Sequence, residues 1–120
     1  MSSPGAEALV KKRCVPCEGG ASPLTAEEAT SYLRDIPGWD LSADRRTITR
    51  TWMLQDFREA LRVANRIGEL AEAENHHPDL FLHSYRRLRV DLTTHAINGL
   101  SENDFILAAK INALERASHP

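Results

Sequence analysis

The sequence contains little of what would make a disulfide scaffold, a membrane protein or a nucleic-acid-binding protein. It has two cysteines among 120 residues, too few for a disulfide framework. Its longest apolar run, residues 105–109, is far shorter than the roughly 20 residues that cross a bilayer. The net charge of -2 gives no overall field that attracts nucleic acid or a membrane surface. We therefore expect a protein that folds around its own hydrophobic core and binds neither membranes nor nucleic acid directly.

A single domain accounts for the rest of the composition. Hydrophobic residues make up 42% of the chain, and 120 residues is an ordinary length for one domain. The N-terminus shows no basic stretch followed by an apolar one, so no secretory signal is visible. On these grounds we expect a cytoplasmic location.

The N-terminal segment differs in composition from the remainder. Glycine, proline, serine and charged residues dominate residues 1–23, which we predict to be a flexible arm, with the domain over residues 24–120. Both cysteines, Cys14 and Cys17, lie in this arm. They supply only half of a structural zinc site, and Pro16 between them indicates a loop rather than a helix start that would lower a thiol pKa. A plain loop is the favoured interpretation; a metal or redox loop with another partner and a dimer cross-link stay open.

The first part of the domain predicts a helix followed by a hairpin. Thr25 and Glu28 form a reciprocal capping pair that begins a helix, and Pro37 lies just beyond its end. β-branched and aromatic residues over 39–41 and 47–53 flank a polar turn, which predicts two paired strands.

The second part repeats this alternation of helix and strands. Apolar residues at three- and four-residue steps predict a long amphipathic helix over residues 56–74. Residues 80–83 predict a short strand, and strict alternation over residues 87–94 predicts a strand with one buried face. Ser101 and Asp104 form a second capping pair that begins the last helix. The order α-β-β-α-β-β-α predicts an α+β fold: a small four-stranded antiparallel sheet with three helices packed on one face.

Three of the five histidines lie where predicted elements end. His76 and His77 follow the long helix and precede Pro78, and His95 follows the alternating strand. Histidine exchanges protons near neutral pH because its ordinary pKa is about 6.5. Adjacent side chains on extended backbone point to opposite sides, so one of the pair is expected to face a pocket while the other packs or orients it. Glu72, one helical turn before His76, is placed to orient or charge-couple an imidazole.

Three roles are open to this histidine trio: structural hydrogen bonding, a three-histidine metal site and acid/base chemistry. The metal site is disfavoured because two of the histidines are adjacent and the usual His-x-His and His-x-x-x-His spacings are absent. Acid/base chemistry is the favoured interpretation. Asp104 is interpreted as a helix cap rather than as a catalyst, and no metal site is predicted.

The polar and aromatic residues of this region also form a specific motif. Its members are Glu72, His76, His77, Pro78, Tyr85, His95 and Asp104. Their order and spacing resemble the signature of the pterin-4a-carbinolamine dehydratase family, and the resemblance covers about residues 24–115. One departure is Asn98, which stands where the family usually has a glycine, and asparagine also tolerates a left-handed turn.

The resemblance implies a reaction and a set of site residues. The reaction is the dehydration of 4a-hydroxytetrahydropterin to quinonoid dihydropterin in tetrahydrobiopterin recycling, a hydro-lyase reaction that requires no cofactor. By similarity, His76 and His95 are the acid/base pair, His77 contacts the substrate or assists, and Glu72 tunes the site. The pterin pocket is expected to be lined by Asn75, His76, His77, Thr93, Thr94, His95 and Ala96.

The resemblance also implies partners beyond the pterin substrate. Family members form homodimers or homotetramers, and this chain is expected to do the same. The alternative to catalysis is a dehydratase-like binding protein, either a dimerisation partner of a transcription factor or an assembly factor for Rubisco. The complete histidine set favours catalysis.

Overall fold

The protein is built on a four-stranded antiparallel sheet with the strand order β1-β2-β4-β3. The computed structural model describes residues 4–15 and 22–117. The strands are β1 (Asp40–Leu41), β2 (Ile48–Met53), β3 (Asp79–His83) and β4 (Arg87–Leu92). The helices are α1 (Pro4–Lys11), α2 (Ala26–Leu33), α3 (Phe57–Glu74) and α4 (Glu102–Ala117), with a single 3-10 turn at His95–Ile97.

The alternation predicted for β4 determines which face of the sheet is covered. Leu88, Val90 and Leu92 are fully buried, whereas Arg87 and Arg89 on the opposite face are exposed. The buried face belongs to one hydrophobic cluster that includes residues of all four helices. The predicted α+β class and antiparallel sheet are therefore confirmed, with one helix more than predicted.

The centre of that cluster is α4, which is apolar on most sides along its first turns. Residues 103–109 are all buried, and Phe105 is fully buried and stacks on Tyr32 of α2 with ring centroids 4.8 Å apart. A helix that is buried nearly all round must lie between other elements. Its N-terminal end, near Asn103 and Asp104, therefore lies inside the fold rather than in solvent.

The predicted starts of two helices are confirmed by their caps. Thr25 accepts a hydrogen bond from the Glu28 backbone N–H, and Glu28 Oε1 accepts one from the Thr25 backbone N–H, which is the reciprocal pair expected from the sequence. Asp56 caps α3 by accepting from the backbone N–H of Glu59 at 2.8 Å. Trp39 is a core residue, 5% exposed, and its indole N–H donates to Asn112.

Helix α1 was not predicted. The composition of residues 1–23 predicts a flexible arm, yet residues 4–11 form a helix in contact with α4. Ala6 and Leu9 are 6% and 3% exposed, so the helix contributes to the core. Pro4 concealed it, because proline suggests a loop but is well tolerated in the first turn of a helix. Cys17 lies outside the described residues.

No helix in the described part of the chain is long and apolar enough to span a membrane.

Candidate active site

Four separate segments of the chain meet around one cavity of about 250 Å³. They are the segment after α1, the turn after α3, the segment after β4, and the first turn of α4. A cavity whose lining combines several histidines with amide and hydroxyl groups suits a small polar ligand. The lining residues are Val15, Asn75, His76, His77, Thr93, Thr94, His95, Ala96 and Asn103.

The turn after α3 brings two adjacent histidines to the cavity. Asn75 ends the helix with a left-handed backbone, φ 53°, which asparagine adopts more readily than most residues. The backbone N–H of His76 then returns to the carbonyl of Ala71 at 3.2 Å. His76 and His77 follow this turn outside any regular strand, and both line the cavity. Their rings have different partners, Asp104 for His76 and Glu72 for His77. That the two side chains point to opposite sides stays a prediction.

His76 is paired with a fully buried carboxylate. Its Nε2 lies 2.7 Å from Oδ1 of Asp104, whose side chain is 0% exposed. The other carboxylate oxygen of Asp104 accepts hydrogen bonds from the Thr94 hydroxyl at 2.8 Å and from the Ser101 backbone N–H at 2.9 Å. A carboxylate held by such bonds fixes both the orientation and the tautomer of the imidazole it contacts.

Asp104 therefore has two roles, of which the sequence analysis favoured only one. It is the third residue of α4 and bonds the backbone N–H of Ser101, as the capping interpretation predicted. It also binds His76, which the capping pattern alone does not indicate. Its place in the motif was the signal that could have revealed this second role.

His77 makes its own pair at the rim of the cavity. Its Nε2 lies 2.5 Å from Oε2 of Glu72, and the two side chains are 56% and 77% exposed. Glu72 was expected to orient an imidazole one helical turn ahead, near His76. The imidazole it contacts is that of His77, because the left-handed turn at Asn75 redirects the chain. Glu72 is absent from the cavity lining, and its side chain contacts the lining residue His77.

His95 enters the cavity from the segment that follows β4. Thr94 anchors this segment by pairing its backbone with Gly99, N–H to carbonyl at 2.9 Å, and by its hydroxyl bond to Asp104. The turn closes at Asn98, whose backbone is left-handed, φ 54°, as expected for a residue in place of a glycine. Within the part of the chain that the structure describes, the ring of His95 makes no hydrogen bond or ion pair, so both of its nitrogens are open to a ligand.

The predicted pocket residues converge on this one cavity. Thr93 lines it, and its hydroxyl donates to the carbonyl of Arg46 at 2.5 Å, which ties the segment to the β1–β2 turn. Tyr85 of the motif lies elsewhere, at the turn between β3 and β4, and is 60% exposed. The sequence-predicted residues that line the cavity are Asn75, His76, His77, Thr93, Thr94, His95 and Ala96.

The segment after α1 supplies a wall of the cavity that the sequence analysis missed. The side-chain amide of Asn103 donates to the carbonyl of Val15 at 2.5 Å and accepts from the Val15 backbone N–H at 3.0 Å. The neighbouring Cys14 backbone N–H donates to Glu74 at 2.9 Å, and Glu74 forms an ion pair with Lys110 at 2.8 Å. No sequence signal links Val15 to Asn103, because the contact joins residues 88 positions apart.

The thiol of Cys14 is a partly buried group next to a carboxylate. Burial, followed by the nearby negative charge of Glu74, raises the pKa of Cys14 from 9.0 to about 12. The thiol donates a weak hydrogen bond to the carbonyl of Asn103 at 3.5 Å. It is therefore protonated at neutral pH, the form that is neither nucleophilic nor metal-binding.

Among residues 4–15 and 22–117, no three histidine, cysteine, aspartate or glutamate side chains come together as metal ligands would. The absence of a metal and of a cofactor stays a prediction from the sequence.

Residues 22–114 match the family model described as Pterin 4 alpha carbinolamine dehydratase. A protein of Methylococcus capsulatus that is provisionally named a pterin-4-alpha-carbinolamine dehydratase is 49% identical over 106 residues, covering 88% of this chain and 92% of that protein. The mitochondrial pterin-4-alpha-carbinolamine dehydratase 2 of Arabidopsis thaliana is 43% identical over 110 residues, covering 89% of this chain and 59% of that protein. A solved structure of a transcriptional coactivator/pterin dehydratase from Brucella melitensis superposes with a TM-score of 0.72 at 36% identity, covering 78% of this chain and 98% of that chain.

Proposed function

Because this chain belongs to the pterin-4a-carbinolamine dehydratase family, we propose that it is a hydro-lyase that removes water from 4a-hydroxytetrahydropterin and yields quinonoid dihydropterin. One observation carries the proposal: His76, held by the buried carboxylate of Asp104, lines the same cavity as His95. The physiological role that follows is tetrahydrobiopterin recycling for aromatic amino acid hydroxylation.

The reaction needs only two proton movements. A proton goes to the hydroxyl on C4a, which leaves as water, and a proton leaves N5 as the new double bond forms. Each movement can be assisted by a positioned imidazole, and such groups typically contribute about 10²- to 10⁴-fold each. No electrons are exchanged, so the protein's own residues suffice.

His76 and His95 would divide these proton movements. Since Nε2 of His76 is engaged by Asp104, its Nδ1 is the ring nitrogen available to the pterin. His95 offers both of its nitrogens. His77, joined to Glu72 at the rim, would contact the substrate and help to orient it. Asn75, Thr93, Thr94 and Ala96 would border the polar edge of the pterin.

The test is the rate of dehydration of freshly generated 4a-hydroxytetrahydropterin, followed by ultraviolet absorbance. We expect the wild type to accelerate it and His76→Ala and His95→Ala each to lose about 10²- to 10⁴-fold in kcat. His83→Ala is the matched control, because His83 is an exposed histidine of β3 outside the cavity. A folded wild type without acceleration would overturn the proposal.

A second candidate function is protein binding, either instead of dehydration or beside it. The Brucella melitensis relative is described as a transcriptional coactivator as well as a pterin dehydratase. In this chain, Phe57 and Leu61 of α3 are 49% and 44% exposed, which leaves an apolar strip for a partner. Rubisco assembly is the other partner role that the family resemblance suggests. A pull-down with a catalytically silent His95→Ala variant would separate binding from catalysis, and a pull-down that recovers no stable partner would count against this candidate.

The same strip is where we propose that copies of the chain associate as a homodimer or homotetramer. Substituting Phe57→Ser and Leu61→Ser together would then lower the mass measured by light scattering. An unchanged mass would show that any interface between copies lies elsewhere on the protein.

A cytoplasmic location stays a prediction from the sequence. The Arabidopsis thaliana relative is named as mitochondrial. Fractionation of the source cells tests it.

A further inference from the structure

Val15 is both exposed and part of the cavity lining. It is a large apolar residue that is 63% exposed, and it lines the cavity that holds the histidines. Apart from Val15 and Ala96, the lining consists of histidine, asparagine and threonine side chains. Val15 is therefore the main apolar contact that the cavity offers.

The backbone that carries Val15 is held at several points. Asn103 bonds both the N–H and the carbonyl of Val15, a pairing that uses both ends of one amide. Glu74 accepts from the Cys14 N–H, and Lys110 holds Glu74. Lys110 and Glu74 are only 14% and 11% exposed, so these bonds are sheltered from water and correspondingly firm.

Anchoring α1 does not require this arrangement. Helix α1 already buries Ala6 and Leu9, and Lys12 just after it forms an ion pair with Glu102. The bonds at residues 14 and 15 come after those anchors and fix the side chain of Val15 at the mouth of the cavity. Fixing the exposed side chain of Val15 there prepares an apolar contact for a ligand that enters the cavity.

We propose that Val15 is a substrate-binding residue whose methyl groups pack on the apolar face of the pterin ring, and that Asn103 positions it. This rests on the proposed function. A pterin is a flat bicycle with hydrogen-bonding edges and apolar faces, so a site for it needs polar groups around the rim and an apolar surface on a face. Val15 is the residue able to supply that surface, and it comes from a segment outside the histidine motif.

The first test compares Val15→Ala with Met53→Ala. Met53 is a comparably exposed apolar residue, 58% exposed, on β2 and away from the cavity. Losing the contact of two methyl groups is expected to raise KM for 4a-hydroxytetrahydropterin about 3- to 10-fold and to leave kcat within about twofold. The dissociation constant for 7,8-dihydropterin, measured by fluorescence quenching, is expected to rise by the same factor. Met53→Ala is expected to change neither quantity.

The outcomes distinguish this inference from the function on which it rests. If the wild type binds dihydropterin and accelerates dehydration while Val15→Ala matches it in KM and in dissociation constant, the inference is overturned and the proposed function stands. If the wild type itself does neither, both are overturned. Because Val15 is largely exposed, Val15→Ala is expected to fold as the wild type does, and equal melting temperatures check this directly.

The positioning role of Asn103 is tested by a double-mutant cycle. Asn103→Asp replaces the N–H donor to the Val15 carbonyl with an oxygen, and is expected to raise KM to a similar extent. If Asn103 acts through Val15, the same substitution in the Val15→Ala background raises KM by much less. Fully additive effects would show that Asn103 meets the substrate independently and would overturn its positioning role.

Discussion

Nε2 of His76 and Oδ1 of Asp104 lie 2.7 Å apart, although 28 residues separate them in the sequence. The contact joins the turn after α3 to the first turn of α4. Because Asp104 is fully buried and its second oxygen is taken by Thr94 and Ser101, its carboxylate has little freedom to turn away. His76 is consequently oriented by a buried group of the core and not by the exposed rim of the cavity.

Asp104→Asn is expected to reduce kcat by about 10²-fold or more, because the amide presents a donor where the carboxylate accepted and thus reverses the tautomer preferred by His76. The stability of the fold is expected to be affected much less than kcat, since the asparagine side chain can still accept a hydrogen bond from the backbone N–H of Ser101. Ser101→Ala is the control: it removes a hydroxyl bonded to Thr94 but keeps the carboxylate. Kinetics and thermal unfolding of both variants provide the measurement. Equal losses of kcat in the two variants would contradict a specific role of Asp104.

The exposed pair of Glu72 and His77 is expected to contribute far less to catalysis than the pair of His76 and Asp104. Glu72 and His77 are both more than half exposed, and solvent screens such pairs strongly. Glu72→Gln should therefore reduce kcat/KM only about 2- to 10-fold, mainly through a higher KM, with no change in unfolding temperature. Glu69→Gln, one turn earlier on the exposed side of α3, is the matched control. A loss as large as that of Asp104→Asn would mean that Glu72 takes part in proton transfer.

Most of the fold could be predicted because its elements carry local signals. The capping pair at Thr25 and Glu28 and the alternation of β4 each depend on residues a few positions apart, and both were confirmed. Helix α1 was missed for the opposite reason: it is short, begins with Pro4 and depends on burying Leu9 against α4. Whether such a helix forms depends on contacts that exist only in the folded chain, because tertiary packing commonly outweighs local propensity.

The candidate site likewise contains residues that local sequence signals predict and residues that only long-range contacts reveal. His76, His77 and His95 stand out by residue type and by their position at element ends, and all three line one cavity. The contributions of Asn103 and Val15 could not be predicted, because an asparagine in a helix and a valine in a loop carry no distinctive chemistry. Only the long-range pairing of their backbone and amide groups reveals them.

Cys14 is expected to be an unreactive thiol. The pKa of Cys14 is raised to about 12, first by burial and then by the charge of Glu74, so the thiolate is scarce at pH 8. In a Cys17→Ser background, iodoacetamide should alkylate Cys14 at least about tenfold more slowly than it alkylates free cysteine at this pH. Urea should restore the ordinary rate. Rapid alkylation of the folded protein would contradict the burial of this thiol and favour the redox or metal interpretation of the cysteine pair.

The ion pair of Glu74 and Lys110 makes the attachment of the Cys14–Val15 segment sensitive to acid. Burial alone would raise the pKa of Glu74, but the hydrogen bonds from Lys110 and from the Cys14 backbone N–H outweigh it and lower the pKa below its ordinary value of 4.5.

A carboxyl group whose pKa is lower in the folded state stabilises that state at pH values above the pKa of the unfolded state. The stabilisation from Glu74 is thus complete at neutral pH and is lost as the pH falls below 4.5 through the lowered folded value. Glu74→Gln lacks this titration and leaves the partly buried Lys110 without its anion, so it should lower the free energy of unfolding at pH 7 by about 1–3 kcal/mol. The difference in the free energy of unfolding between the wild type and Glu74→Gln is measured by urea unfolding from about pH 3 to about pH 7. This range includes the ordinary carboxyl pKa. The difference should shrink towards zero at the acid end, where Glu74 of the wild type is also neutral.

Glu27→Gln, on an exposed part of α2, should show no such dependence. A difference that stays constant across the range would mean that Glu74 acts by its shape alone and that its charge does not hold the segment on which Val15 lies.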